Sequence, residues 1–127
     1  MSFPFDPQAG LIVVPVRLWG RDGDTIAHLA LDTGATGPLV NWDIAVLLGY
    51  DPAVIRERIR VTTGTSVEFA PQIVVQRVEA LGREQTDFPI VCHTLPPSAA
   101  VDGVLGLDFF RGARLTVDFR KGLVTLE

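Results

Sequence analysis

The chain has 127 residues, 47% of them hydrophobic and 20% charged, with 12 Gly and 9 Pro. That is enough for one domain with a real core and too little for two of ordinary size, and the composition is that of a turn-rich globular chain, not a disordered one. A formal net charge of -4, with eleven Lys and Arg residues that form no dense basic run, speaks against nucleic acid as a partner.

The first ten residues, MSFPFDPQAG, lack a basic flank followed by an apolar stretch, so they do not read as a signal peptide. We expect them to form an extended arm on a single domain spanning 1–127. No apolar run approaches the ~20 residues of a membrane span, and a soluble, cytoplasmic protein is the expectation.

Residues 11–20, LIVVPVRLWG, are rich in β-formers, RDGD is a turn signal, and TIAHLALD (25–32) is a second apolar run, so the chain opens with a hairpin. Pro15 inside the first run predicts an edge position or a bulge. After residues 32–36, GPLV resumes an extended segment and NWDIAVLLGY reads as a helix. Asn41 is its expected N-cap, Trp42, Ala45 and Val46 its shared face, and Gly49 its left-handed terminus. DPAVIRER predicts a further helical turn with Pro52 at its first position.

RIRVTTGTSVEFA reads as two alternating arms around Thr63 and Gly64. QIVVQRVEALG and TDFPIVCHTL form another pair separated by polar GREQ. VDGVLGLDFFRGA is an apolar strand entering a short helix, with Asp108 as its expected N-cap, and RLTVDFRKGLVTLE is a hairpin turning at Lys121-Gly122. Many short strands, one clear helix and closely spaced turns predict a mainly β barrel or sandwich.

Three features bear on chemistry. Cys92 is the single cysteine, and beside His93 it makes one pair where a zinc site needs several ligands; no metal or other cofactor is expected. His28 reads as a surface or satisfied histidine, and the two tryptophans, Trp19 and Trp42, as core or interface residues. The third feature is LALDTGATGPL at 29–39, which drives an aliphatic run straight into an aspartate. A buried carboxylate is unfavourable unless its charge is served by polar partners. The turn supplies them: Gly34 lets the backbone fold tightly and expose amide groups, and Thr33 and Thr36 add hydroxyls.

Asp32 alone is half of an acid/base machine, because hydrolysis by carboxylates needs one group to take a proton from water and another to polarise the carbonyl. In this setting the DTGAT segment is matched some 70 residues later by VDGVLGLDFF, and between the two lies the Gly-tipped hairpin. At these residues the sequence resembles the retropepsin-like aspartic proteases, closest to small bacterial members and the retroviral-protease-like domains of ubiquitin-shuttle proteins. The resemblance runs from Leu11 to Leu126.

The resemblance implies a closed, barrel-like β fold with one or two short helices and one lobe per chain. It implies an aspartic endopeptidase that is a homodimer, with Asp32 of each protomer forming the catalytic dyad across a two-fold axis. Thr33 would brace the two loops across the dimer, Gly34 would lie against substrate or the catalytic water, and Ala35 and Thr36 would complete and orient the active-site loop. Thr63, Gly64 and Thr65 would form the flap tip closing over a peptide or protein substrate bound as an extended strand. Val104, Leu105 and Gly106 would support the loop from below. The chain departs from the retroviral pattern at Thr36-Gly37, where those enzymes carry acids, and at Leu107-Asp108, where they carry an arginine. Both departures move the reading toward the bacterial and shuttle-type branch. The alternative is a retropepsin-like domain that binds peptide or dimerises with little hydrolysis; an unrelated small β-barrel ligand binder is the third reading.

Overall fold

The computed structural model describes residues 1–62, 66–96 and 98–127. In chain order its elements are β1 (Ser2–Pro4), β2 (Val13–Gly20), β3 (Gly23–Leu31), β4 (Leu39–Asn41), α1 (Trp42–Leu47), β5 (Arg58–Thr62) and β6 (Val67–Ala80). They continue as β7 (Arg83–His93), β8 (Gly103–Leu105), α2 (Leu107–Phe110), β9 (Leu115–Asp118) and β10 (Leu123–Leu126).

Six strands close on themselves in the order β2-β3-β8-β4-β7-β6, because β6 pairs back onto β2 through Arg17↔Glu79, Leu18↔Val78 and Trp19↔Arg77. This is the closed, mainly β fold with two short helices that the resemblance implied. Closure removes the sheet edges that an open sheet would leave unpaired. The barrel fills with alternate side chains: Val14, Val16 and Leu18 from β2 and Ala27 and Leu29 from β3 are all buried, and α2 adds Phe109, which meets Phe88 and Phe110 edge to face.

The opening hairpin turns at Arg21-Asp22, with Gly20 paired to Gly23. Pro15 lies in the half of β2 that has β3 alone as neighbour, where a missing N–H breaks no second ladder. β6 does two jobs along its length: residues 67–71 pair with β5, and residues 72–80 pair with β7 and, in part, β2. The β5–β6 arm therefore continues past the part of β6 that builds the barrel. Thr63, Gly64 and Thr65, expected from sequence as the flap tip, lie outside the described residues.

Several local expectations change. The β6–β7 turn is Leu81-Gly82, both at positive φ (53° and 77°), so Arg83, Glu84 and Gln85 belong to β7 and not to a GREQ loop. Residues 52–54 form a turn and no helix; the Asp51 carboxylate accepts the Ala53 N–H at 3.0 Å and ends the chain's helical tendency there. Asn41 does cap α1, its Oδ1 accepting from Trp42 N at 3.0 Å, and Gly49 follows the helix at φ +92°. The buried face of α1, however, is Ile44 and Ala45, while Val46 is 56% exposed. Six residues are fewer than two turns, too few for a periodic apolar face to fix which side is buried.

At the chain ends, β1, β10 and β9 form a separate three-stranded sheet, and residues 2–4 of the expected arm lie along β10. Gly122, at φ +67°, makes the β9–β10 turn, and Asp118 Oδ1 accepts the N–H groups of Arg120 and Lys121. No helix among the described residues is long and apolar enough to cross a membrane.

Candidate active site

β3 and β4 are consecutive in sequence but not neighbours in the sheet. β8 lies between them, parallel to β3 (Leu29↔Gly103, Leu31↔Leu105) and antiparallel to β4 (Leu39↔Val104). The connection from Asp32 to Pro38 must therefore pass over the C-terminal end of β8, where α2 begins. The resemblance implied that DTGAT and VLG lie against each other, and this threading is the physical reason they meet.

The contact is made of backbone. Asp32 N–H donates to Leu105 O at 3.0 Å, Leu107 N–H to Ala35 O at 2.9 Å, and Asp108 N–H to Thr36 O at 3.1 Å. The first amide groups of α2 are thus satisfied by the carbonyls of the aspartate loop, which corrects the expectation of Asp108 as N-cap: the capping position is Gly106, with no side-chain cap. Gly106 is required by space, since a Cβ there would stand 2.7 Å from Gly37 O and 2.8 Å from Ala35 O. Gly103 is similarly confined against the Leu39 carbonyl. Leu105 is fully buried and Val104 half-buried between β3 and β4.

Asp32 itself is half-buried at the end of β3. Its Oδ1 accepts the Gly34 N–H at 2.8 Å, and Ala35 N–H returns to Asp32 O at 3.2 Å, so the loop folds back on the residue it carries. Thr33, Gly34 and Thr36 are exposed. Their expected hydroxyl contribution takes another form here: Thr36 holds the loop through its main-chain oxygen.

Beside the loop lies a cleft of about 540 Å³. Gly34 to Leu39 form one side and Ile59 to Thr62 of β5 the other, with Gln72, Pro89, Val91, Val104 and Asp108 completing the wall. The β5 wall and Asp108 were not singled out from sequence as cleft residues. Ile59 and Val61 alternate with Arg60, a period-2 signal that marked a face without saying what it faced.

The remaining candidates fall elsewhere. Cys92 is fully buried in β7, and burial pushes its thiol up to about 11. His93 Nε2 lies 2.6 Å from Glu68 Oε2 of β6, and its Nδ1 lies 2.9 Å from Thr94 O. The hydrogen bond to Glu68 raises the histidine's pKa above its ordinary value against the opposing effect of burial. His28 is on the outer surface, with its backbone N–H donated to Asp102 Oδ2 at 2.9 Å. Trp19 is stacked on the outside of the barrel against Arg77 and Arg17, 3.8 and 4.9 Å from the ring centroid. Trp42 lines a shallow apolar depression with Val46, Leu47 and Leu95.

The fold is that of the retropepsin-like aspartic proteases. The chain superposes on a retropepsin-like aspartic protease from Rickettsia conorii with a TM-score of 0.70 at 19% identity, over 99% of this chain and 88% of that one. It also superposes on the retroviral protease-like domain of Ddi1 from Leishmania major, with a TM-score of 0.60 at 18% identity, over 94% and 90% of the two chains. No family model matches the sequence, and no curated protein is significantly similar to it.

Proposed function

We propose that this chain is an aspartic endopeptidase that works as a homodimer, Asp32 of one protomer facing Asp32 of its twin across a two-fold axis. The observation that carries the reading is the mounting of Asp32: a half-buried carboxylate held by the Gly34 N–H, on a loop locked to α2 by backbone hydrogen bonds, beside a cleft lined by a β-hairpin arm. The shared fold with retropepsin-like proteases supports it.

One chain brings one such carboxylate, and the exposed faces of Thr33 and Gly34 leave room for a second copy to supply the other. Two carboxylates so close cannot both ionise easily and hold one proton between them. The ionised member takes a proton from water, whose oxygen attacks the scissile carbonyl carbon. The protonated member donates to the carbonyl oxygen, giving a tetrahedral gem-diol with no covalent bond to the protein. In the collapse the protonated carboxyl gives its proton to the amide nitrogen, the other carboxylate takes a hydroxyl proton from the gem-diol, the C–N bond breaks, and the pair again holds one proton.

In this scheme Thr33 braces the loops across the axis, and Gly34, Ala35 and Thr36 shape the floor under the substrate. Val104, Leu105 and Gly106 support that floor, and the hairpin tip at Thr63, Gly64 and Thr65 closes over a peptide bound as an added strand.

The test is cleavage of an unbiased peptide library at acidic and near-neutral pH by the wild type and by Asp32→Asn. We expect cleavage by the wild type and a loss of about 10²–10⁴-fold in the variant, with its oligomeric state unchanged in sedimentation. Equal cleavage by the two proteins sinks the dyad. No cleavage by a folded dimer leaves a peptide-binding or dimerisation module on the protease fold.

A further inference from the structure

The N–H groups of Leu107 and Asp108, at the start of α2, are taken by the carbonyls of Ala35 and Thr36 and not by a side chain. The Asp108 carboxylate does not cap α2. Neither of its oxygens accepts a hydrogen bond among the described residues, and its one cation, Arg111, lies 3.6 Å away through a single Nε–Oδ1 approach between side chains that are 53% and 68% exposed. A pair so exposed and so loosely made is weak, and a competing cation displaces it readily.

The group nevertheless stands at the cleft, close to Gly37. Gly37 does not adopt positive φ, so its backbone conformation does not demand glycine. A Cβ on Gly37 would stand 3.1 Å from Asp108 Oδ2. The carboxylate thus lies close over the loop, where Gly37 and Asp108 both line the cleft. Around them the wall mixes apolar side chains, among them Ile59, Val61 and Val91, with the polar Thr36, Thr62 and Gln72, and the only other charged side chain on it among the described residues is Arg60 of β5. Asp108 and Arg60 are thus the two charges that a side chain entering the cleft meets, each at the strength of a partly exposed group.

We propose that Asp108 is a specificity-determining residue, selecting an Arg or Lys side chain of an extended peptide at the subsite formed by Gly37 and Asp108. The inference rests on the cleft being the peptide site of the proposed endopeptidase. A guanidinium or ammonium entering there meets Asp108 Oδ2 without disturbing any hydrogen bond of the fold, whereas an acidic side chain meets a negative charge.

The experiment has two arms, so that this inference and the endopeptidase reading can fail separately. In the first, the peptide library is cut by wild type, Asp108→Asn, Asp108→Glu and Asp108→Arg, each shown folded by its melting curve, and cut sites are aligned. In the second, fluorescent decapeptides with a reduced, uncleavable central bond, differing only in Lys, Ala or Glu at one scanned position, are titrated by anisotropy. We expect the wild type to favour Lys over Glu by about five- to tenfold at one position, Asp108→Glu to keep that ratio, Asp108→Asn to bring it near unity, and Asp108→Arg to invert it. A structural role for Asp108 would lower the melting temperature without inverting a charge preference.

The proposal is overturned by a Lys/Glu ratio unchanged in Asp108→Asn, by a preference for Glu that Asp108 does not affect and that would assign the subsite to Arg60, or by no peptide binding in either arm. Binding that follows the charge of residue 108 in a protein that never cuts the library retires the endopeptidase reading and leaves this one standing.

Discussion

Gly106 is the residue on which the site's geometry is most tightly strung. The Gly37 and Ala35 carbonyls approach it to within 2.8 Å of where a Cβ would be, and the same stretch of loop receives the amides of α2. Gly106→Ala must push the aspartate loop off the end of β8, and we expect a loss of about 1–3 kcal/mol, read as a lower urea midpoint. Asn41 is the other single residue whose removal should be measurable, because its Oδ1 accepts from Trp42 N and, at 3.2 Å, from Leu95 N. Asn41→Ala should cost about 1 kcal/mol by the same measurement. Both residues were legible in the sequence, Asn41 because capping is local chemistry and Gly106 because its motif stood at a fitting distance from DTGAT. Asp108 was misread for the complementary reason: a carboxylate at the start of a helix is locally indistinguishable from a cap when the groups that replace it come from 72 to 73 residues away, at Ala35 and Thr36.

At the scale of elements, the arm formed by β5 and residues 67–71 of β6 is tied to the end of β7 by Glu68 and His93. Both ring nitrogens of His93 face oxygen acceptors, the Glu68 carboxylate and the Thr94 carbonyl, and only the doubly protonated imidazolium donates to both. A histidine whose folded pKa is raised contributes stability that is fully present below its unfolded pKa, ~6.5, and is lost as pH rises through the folded value. We therefore expect the His93 ring to titrate above 6.5 by NMR, Glu68→Gln to bring that titration down, and amide exchange in residues 67–71 to quicken as the proton leaves. An unshifted titration in Glu68→Gln would show that Glu68 is not the cause. The opening and closing hairpins were legible because RDGD and Lys121-Gly122 mark their turns locally, whereas the β6–β7 turn fell at Leu81-Gly82, ahead of the polar run read as its loop. The inward face of β6 was not, because it passes from Ile73 and Val75 to Val78 and Ala80 where the β6–β7 ladder skips Gln76 and Asp87 takes φ +50°. Strict alternation cannot anticipate that shift.

For the whole molecule, a mainly β chain was evident from strand and turn density, but which strands close the barrel was not. The β2–β6 pairing and the placement of β8 join segments far apart in sequence, and no local pattern encodes them. The core they enclose is anchored by Phe109, fully buried between two aromatic contacts, and Phe109→Ala is expected to lose about 3–5 kcal/mol in a denaturant melt. If the working unit is a pair of chains, specific activity should fall on dilution through the dimer dissociation constant, in step with sedimentation. Activity per chain that stays constant into the monomeric range would rule the pair out.

The threading of β8 between β3 and β4 also sets an order of events. β3 and β4 belong to the first third of the chain, yet neither can complete its ladders until residues 103–105 arrive between them. Contacts of such long sequence separation form slowly, because the loop entropy of the intervening chain is lost before they are made. We therefore expect the loop carrying Asp32, which hydrogen-bonds to Leu105 and the start of α2, to gain its amide protection late in refolding, as pulsed hydrogen exchange would show. A half-made chain would have Asp32 but not the β8 and α2 backbone against which its loop is held.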